Sequence, residues 1–459
     1  MDWIPTLADW SGPAFRRIVD ALAADITSGR LKRGQRIPTH RALARALKLD
    51  LTTVTRAYGE ARRRGLIEAQ VGRGTFVSET TTRTQDNIPY RIKIDLAMNV
   101  PPQPVEANLD LHITQGLKAI RDAAGLSAFL NYQQPGGSDD ERQIAAQWLR
   151  RRVPDARADR LLVYPGNQAI LFNALLSLTS PGDTVLTEAL TFPGMKAAAD
   201  KLRIRLVGVE MDPDGIRPDA LKRACKAHRP KAVYLIPTLH NPTTATLPPQ
   251  RRAAIADIIR ANKTILVEDD AYGWLAPAVA PIATLIPERT YLAVGLAKCI
   301  TPALRVSYLL APDATAEQTM RDSLAATMQM PPPLMVALAT HWIRSGIADQ
   351  IVGAIRDEAA GRQRIAARLL KGVPYAAGAH GHHLWLPLPP RRSRTEFLSQ
   401  ISSRGLAVVA DDAFAVDPAS SRPAVRISLG AARTRAELAQ GLQALAETLA
   451  SPANAMPVV

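Results

Sequence analysis

Near residue 90 the chain changes rhythm. Before it, apolar residues recur at helical spacing, as Ile18, Ala21, Leu22 and Ile26, then Leu43, Ala44 and Leu47, then Val54, Ala57 and Tyr58. After it, short apolar runs alternate with longer helical stretches. Two patterns of this kind do not share one set of layers, and 459 residues exceed what one ordinary core organises, so the chain is expected to fold as separate units. The first unit reads as three helices, with Gly29 and Gly34 punctuating the first gap and Leu49-Asp50-Leu51 forming a short turn before Thr52, a residue type suited to capping. Leu66–Ala69 and Thr75–Val77 are strand candidates around Val71-Gly72-Arg73-Gly74, whose glycines suit a tight hairpin. The order is helix, helix, turn, helix, wing.

Residues 79–91 are rich in threonine and charge and lack apolar periodicity, the composition of an exposed linker between a unit at 1–78 and a unit at 92–459. Beyond the linker, the runs LLVYP, TVLTE, AVYLIP, TILVEDD and TYLAVG alternate with helical stretches, which predicts a doubly wound α/β domain. Strand candidates near Gly381–Leu386, Leu406–Val409 and Val425–Leu429 predict a smaller α+β lobe at the C-terminal end.

Charge separates the two units as well. Residues 1–78 hold 14 Lys or Arg against 7 Asp or Glu, so net +7 of the chain's +15 sits in its first sixth, which points to a nucleic-acid partner at that end or, on charge alone, to a solvated basic surface. The two cysteines, Cys225 and Cys299, form no CxxC pair, which fits a reducing compartment. The N-terminus has no basic stretch followed by an apolar core, and no apolar run reaches membrane-spanning length. A cytoplasmic protein with no membrane partner is expected.

In a helix-turn-helix, the first residues of the second helix meet base edges while the preceding helix touches phosphate. Thr52, Thr53, Thr55 and Arg56 stand at the first of these positions, Arg41 and Arg45 on the supporting helix, and Arg73 at the wing tip. The run Arg62-Arg63-Arg64 reads equally well as a solvated helix end. The stretch from Gly29 to Val77 resembles the GntR-type winged helix, and that resemblance implies a DNA-contacting surface containing Arg41, Thr53, Arg56 and Gly74.

The second unit carries the residue types that an amine-handling cofactor such as pyridoxal 5'-phosphate needs: a lysine for a Schiff base, an acid for the ring nitrogen, and a phosphate cradle. Lys298 follows the strand TYLAVG, and Asp269 ends another in VEDDAYG with Tyr272 three residues on. Asp269 beside Asp270 would equally suit a metal, but no histidine or further acid stands at ligand spacing, so no metal site is expected. Tyr164-Pro165-Gly166-Asn167-Gln168 leads from a strand into a helix whose amides can hold phosphate. Phe192 offers a face for ring stacking or a core side chain. Asn241 offers a donor or an Asn-Pro turn, and Arg426 a carboxylate clamp or a strand salt bridge.

In this order the residues resemble fold-type-I aminotransferases, and the whole from about residue 13 to 448 resembles the MocR family of regulators. The resemblance implies Lys298 as the Schiff-base lysine, Asp269 as partner of the pyridine nitrogen, Tyr272 and Asn241 at the phenolic oxygen and Phe192 as the stacking aromatic. It further implies Arg305, Gly166 and Asn167 at the phosphate and Arg426 at an effector carboxylate. Tyr132 would cross a homodimer interface towards the neighbouring phosphate. The chain departs from the enzymes at Gly295 and Ala297, where hydroxyl side chains often stand, and the loss of their phosphate bonds would weaken the cofactor clamp. The expected function is a regulator that binds operator DNA and senses an amine or amino acid through aldimine exchange on Lys298, with no catalytic residues assigned as such. The alternatives are a working aminotransferase with an accessory DNA-binding head, and a sensor of the cofactor itself.

Overall fold

In the computed structural model the described residues are 3–6, 13–27, 30–32, 34–63, 66–70, 74–77, 94–390, 392–420 and 422–451. The chain divides into two compact units, Met1–Arg91 and Ile92–Val459. The stretch 79–91, read as a linker, and Arg73 lie outside the described residues.

The head contains α1 (Ala14–Thr27), α2 (His40–Leu47), α3 (Leu51–Arg63) and three short strands, β1 (Arg36–Ile37), β2 (Ile67–Gln70) and β3 (Gly74–Val77). The helices bury the apolar stripes read from the sequence, with Ile18, Leu22, Leu43, Val54 and Tyr58 in one core, joined by Trp3 and Leu31. Thr39 caps α2 by accepting from the Ala42 amide, and the Tyr58 hydroxyl donates to the Pro38 carbonyl at 2.7 Å. β1 was not legible in the sequence because two residues carry no periodicity; it adds antiparallel to β3 and turns the wing hairpin into a three-stranded sheet.

In the body, seven strands form the central sheet: β4 (Leu161–Tyr164), β5 (Thr184–Glu188), β6 (Arg205–Val209), β7 (Ala232–Leu235), β8 (Ile265–Asp269), β9 (Thr290–Gly295) and β10 (Ser307–Leu310). Their order is β4-β10-β9-β8-β7-β5-β6. Neighbours run parallel except at β10, which is antiparallel to both β9 and β4. A sheet covered on both faces needs strands that are apolar throughout, and β4, β7 and β9 are buried at every position. One face packs Tyr234, Val267 and Ala293 in a core shared with residues of α4 (Asp139–Leu149), α5 (Asn167–Leu178) and the helix Ala314–Thr327. The other packs Val233, Leu235 and Leu266 with the helices Pro218–His228 and Pro249–Ala261.

The smaller lobe is a four-stranded sheet whose central strands are His383–Pro387 and Ala424–Ser428, covered by apolar residues of the helices Arg394–Ser403 and Arg435–Ala450. The reading of Leu406–Val409 as one strand is corrected. Leu406–Ala407 pairs with Ile94–Asp95, and Val409–Ala410 pairs with Ala424–Ser428 in the other sheet.

Candidate cofactor and DNA sites

The sheet order brings most of the candidate residues together. β4, β5, β7, β8 and β9 all run one way, so the loops that follow them open at one edge, where ligands of such sheets bind. A cavity of about 180 Å³ there is lined by Gly166, Asn167, Phe192, Asn241, Asp269, Tyr272, Lys298 and Arg305 among others. Arg426 and Tyr132 do not line it. Arg426 is buried beside Asn241, whereas Tyr132 is 79% exposed on the surface with Leu130 at 82%.

Burial, with the Asp270 charge adding to it, holds the Asp269 carboxyl above the ordinary carboxylate value, and the shift is limited by Asn167 Nδ2 at 2.7 Å on Oδ1 and the Tyr234 hydroxyl at 2.9 Å on Oδ2. The Asn167 side chain therefore serves the carboxylate, leaving the phosphate role expected of it to the helix N-terminus that it begins. Tyr272 is buried, and its oxygen accepts from Asn99 Nδ2 at 2.9 Å, so its own O–H remains to donate into the cavity. Asn241 Oδ1 accepts from Arg426 Nη1 at 2.9 Å, which leaves the amide nitrogen as a donor.

Lys298 is held by the Asn99 carbonyl. Burial, reinforced by the Arg426 charge and opposed by Asp269, brings its ammonium down to about 8. Arg426 also donates to the Ala97 carbonyl and lies over the Phe414 ring at 5.0 Å. Asn99, Tyr234 and Phe414 were missed from sequence. Asn99 and Phe414 sit in loops with no motif, and Tyr234 reads as one more apolar strand residue.

At the opposite end, Gly166 has φ +98, and a Cβ there would stand 3.1 Å from the Arg305 guanidinium, so only glycine leaves that approach open. The departure at Gly295 also has a physical reason. A Cβ at 295 would lie 2.5 Å from Asn167 Oδ1 and 3.0 Å from Ser307 Oγ, so a hydroxyl side chain would displace the amide that holds Asp269. Asn167 Oδ1 and Ser307 Oγ are themselves buried without a protein partner, which leaves polar capacity beside Gly295. Asp270 turns away from the cavity to pair with Arg152, and no group of metal-binding side chains occurs among the described residues. A buried acid, a lysine of lowered basicity, an arginine approaching a glycine turn and a partly buried Phe192 fit a planar, phosphorylated pyridine aldehyde.

In the head, Arg41, Arg45, Thr52 and Arg56 are exposed and Thr53 is half-buried. The cap of α3 is Asp50, not Thr52. The Asp50 carboxylate accepts from the Thr53 amide at 2.7 Å and from both threonine hydroxyls, which hold it well below the usual carboxylate range. The Thr52 and Thr53 hydroxyl protons are thereby committed, which leaves these side chains with acceptor capacity alone. Arg56 lies over the Phe15 ring, 4.1 Å from its centre, and Gly74 has φ +116 with the Arg36 side chain against it.

Residues 91–445 match the family described as Aminotransferase class I and II, and residues 15–77 match Bacterial regulatory proteins, gntR family. Among curated proteins, the HTH-type transcriptional regulator YdeF of Bacillus subtilis is 28% identical, covering 98% of this chain and 97% of its own. The Vitamin B6 salvage pathway transcriptional repressor PtsJ of Salmonella typhimurium is 26% identical over 89% of this chain and 93% of its own. Among solved structures, the alpha-aminoadipate aminotransferase LysN of Thermus thermophilus, complexed with N-(5'-phosphopyridoxyl)-L-leucine, aligns with a TM-score of 0.72. It is 22% identical and covers 86% of this chain and 98% of its own, a likeness of fold. No helix among the described residues is long and apolar enough to cross a membrane.

Proposed function

The chain belongs to the aminotransferase class I and II family with a gntR-family regulatory head, and on that premise we propose that it is a transcription regulator whose body holds pyridoxal 5'-phosphate and senses an amine or amino acid. The observation that carries this reading is the convergence of Lys298, Asp269, Tyr272 and Arg305 on one cavity. When bound, the cofactor supplies an aldehyde that condenses with amines and a ring that draws electrons from the adduct. Asp269 keeps a proton on the ring nitrogen, Tyr272 and Asn241 donate to the ring oxygen, and Phe192 stacks on the ring. The first amides of α5 and Arg305 would hold the phosphate, with Gly166 leaving the Arg305 guanidinium its approach. Arg426 recognises the effector carboxylate once it exchanges its bond to the Ala97 carbonyl for the ligand.

Exchange of one amine for another at this site alters the body and biases the operator affinity of the head. The test is to titrate the loaded protein with a panel of amino compounds, following visible absorbance and operator binding together. A compound that shifts both supports the reading. Full conversion of an amino-acid and keto-acid pair without any change in DNA affinity would favour an enzyme over a sensor.

For the head, we expect Arg56→Ala and Arg41→Ala to fail differently. Arg56, on the recognition helix of the motif, should cost about 1–3 kcal/mol and relax preference at one base pair. Arg41, on the supporting helix, should weaken all sequences alike and lower the salt slope by roughly one. Binding to specific and scrambled DNA at several salt concentrations separates the two, and wild-type behaviour in both variants would remove these helices from the DNA surface.

A homodimer is the proposed assembly. Tyr132 is too exposed to serve the cavity of its own chain, and an exposed tyrosine is a residue type enriched at interfaces. Light scattering at micromolar concentration should give twice the chain mass. A monomer under those conditions would leave Tyr132 without a role.

A further inference from the structure

We infer that Tyr234 is a positioning residue for Asp269, fixing both the direction and the charge of that carboxylate; this rests on the cofactor reading above. β7 is buried at every position, and Tyr234 is its single polar side chain, fully inaccessible to solvent. A buried phenol costs more to bring out of water than the phenylalanine that would fill the same volume, so its hydroxyl must return something. That hydroxyl donates to Asp269 Oδ2, at 2.9 Å.

Strand register explains the meeting. Tyr234 pairs with Val267 across the parallel β7–β8 ladder, and Asp269 lies two residues further along on the same face, the diagonal distance that a tyrosine side chain spans. Asn167 reaches the other carboxylate oxygen from the first turn of α5, so the two oxygens are held by side-chain donors from two different elements. Two donors from a strand and a helix restrict the carboxylate plane far more than either would alone. They also favour the charged form in a place where burial opposes it. A carboxylate that stays ionised can hold a proton on a ring nitrogen, whereas a neutral one cannot.

The hydroxyl should therefore matter to a ligand only through that ring nitrogen. The experiment compares wild-type protein and Tyr234→Phe for affinity towards pyridoxal phosphate and towards its analogue carrying C–H in place of the ring nitrogen. Loss of one hydrogen bond to a charged group predicts that Tyr234→Phe binds pyridoxal phosphate about tenfold or more weakly. It should bind the analogue as well as the wild type does, and the pH at which the bound cofactor changes its visible absorption should move. Equal weakening towards both ligands, or a variant that fails to fold, would make the hydroxyl structural and overturn the inference. Wild-type protein that takes up neither ligand would instead overturn the cofactor reading itself.

Discussion

Lys298→Ala should abolish covalent attachment of pyridoxal phosphate while leaving the body folded. Lys298 follows β9 into the cavity, and its amine is held by the Asn99 carbonyl, with Asp269 and Arg426 as the nearby charges. Among the described residues no other lysine lines the cavity. Borohydride reduction of the loaded protein followed by peptide mapping should find the pyridoxyl group on the peptide containing Lys298 and nowhere else. Modification of a different lysine, or of none after loading, would remove the cofactor reading.

The same lysine sets a pH dependence. Only the neutral amine attacks a carbonyl, and burial with the Arg426 charge lowers Lys298 to about 8. At pH 7 roughly a tenth of it is neutral, against well under a thousandth for an ordinary lysine. The rate of attachment should rise with pH and level off above about 8. A rate that keeps rising to about pH 10 would mean a solvated, ordinary lysine.

The parts of this site that were legible in the sequence are those whose chemistry is local. Lys298, Asp269 with Tyr272, and Asn241 sit in short runs where a strand end and a turn dictate one another, so the order of types is informative before any contact is known. The residues that position them were not legible, because they arrive from far away. Tyr234 reaches Asp269 through strand register, Asn99 lies 199 residues from Lys298, and Arg152 lies 118 residues from Asp270. The fold divided in the same way. Apolar runs such as TYLAVG and AVYLIP announced β9 and β7, whereas β6, which has one buried position in five, did not stand out, and β10 was not read as a strand. The antiparallel course of β10 belongs to the return after Lys298, a property of topology and not of any local run.

Asp270→Ala should cost the body about 3–5 kcal/mol, because it leaves a buried guanidinium without its partner. Arg152 Nε and Nη2 reach Asp270 Oδ2 at 3.1 and 2.8 Å, and both side chains are 1% exposed. Gly273 packs so closely on this pair that a Cβ would overlap the carboxylate and the guanidinium, so Gly273→Ala should act in the same direction. The pair closes the turn from Asp269 to Gly273, which carries both Asp269 and Tyr272 into the cavity. Its loss should therefore lower cofactor affinity even under conditions where the body still folds. Urea unfolding can be followed through Trp148 and Trp274, which stack 3.9 Å apart beside Arg152. The double variant Arg152→Met with Asp270→Leu removes both charges and should be less destabilised than Asp270→Ala alone. If Asp270→Ala cost under about 1 kcal/mol, the range of an exposed pair, the turn would have to be held by its backbone hydrogen bonds instead.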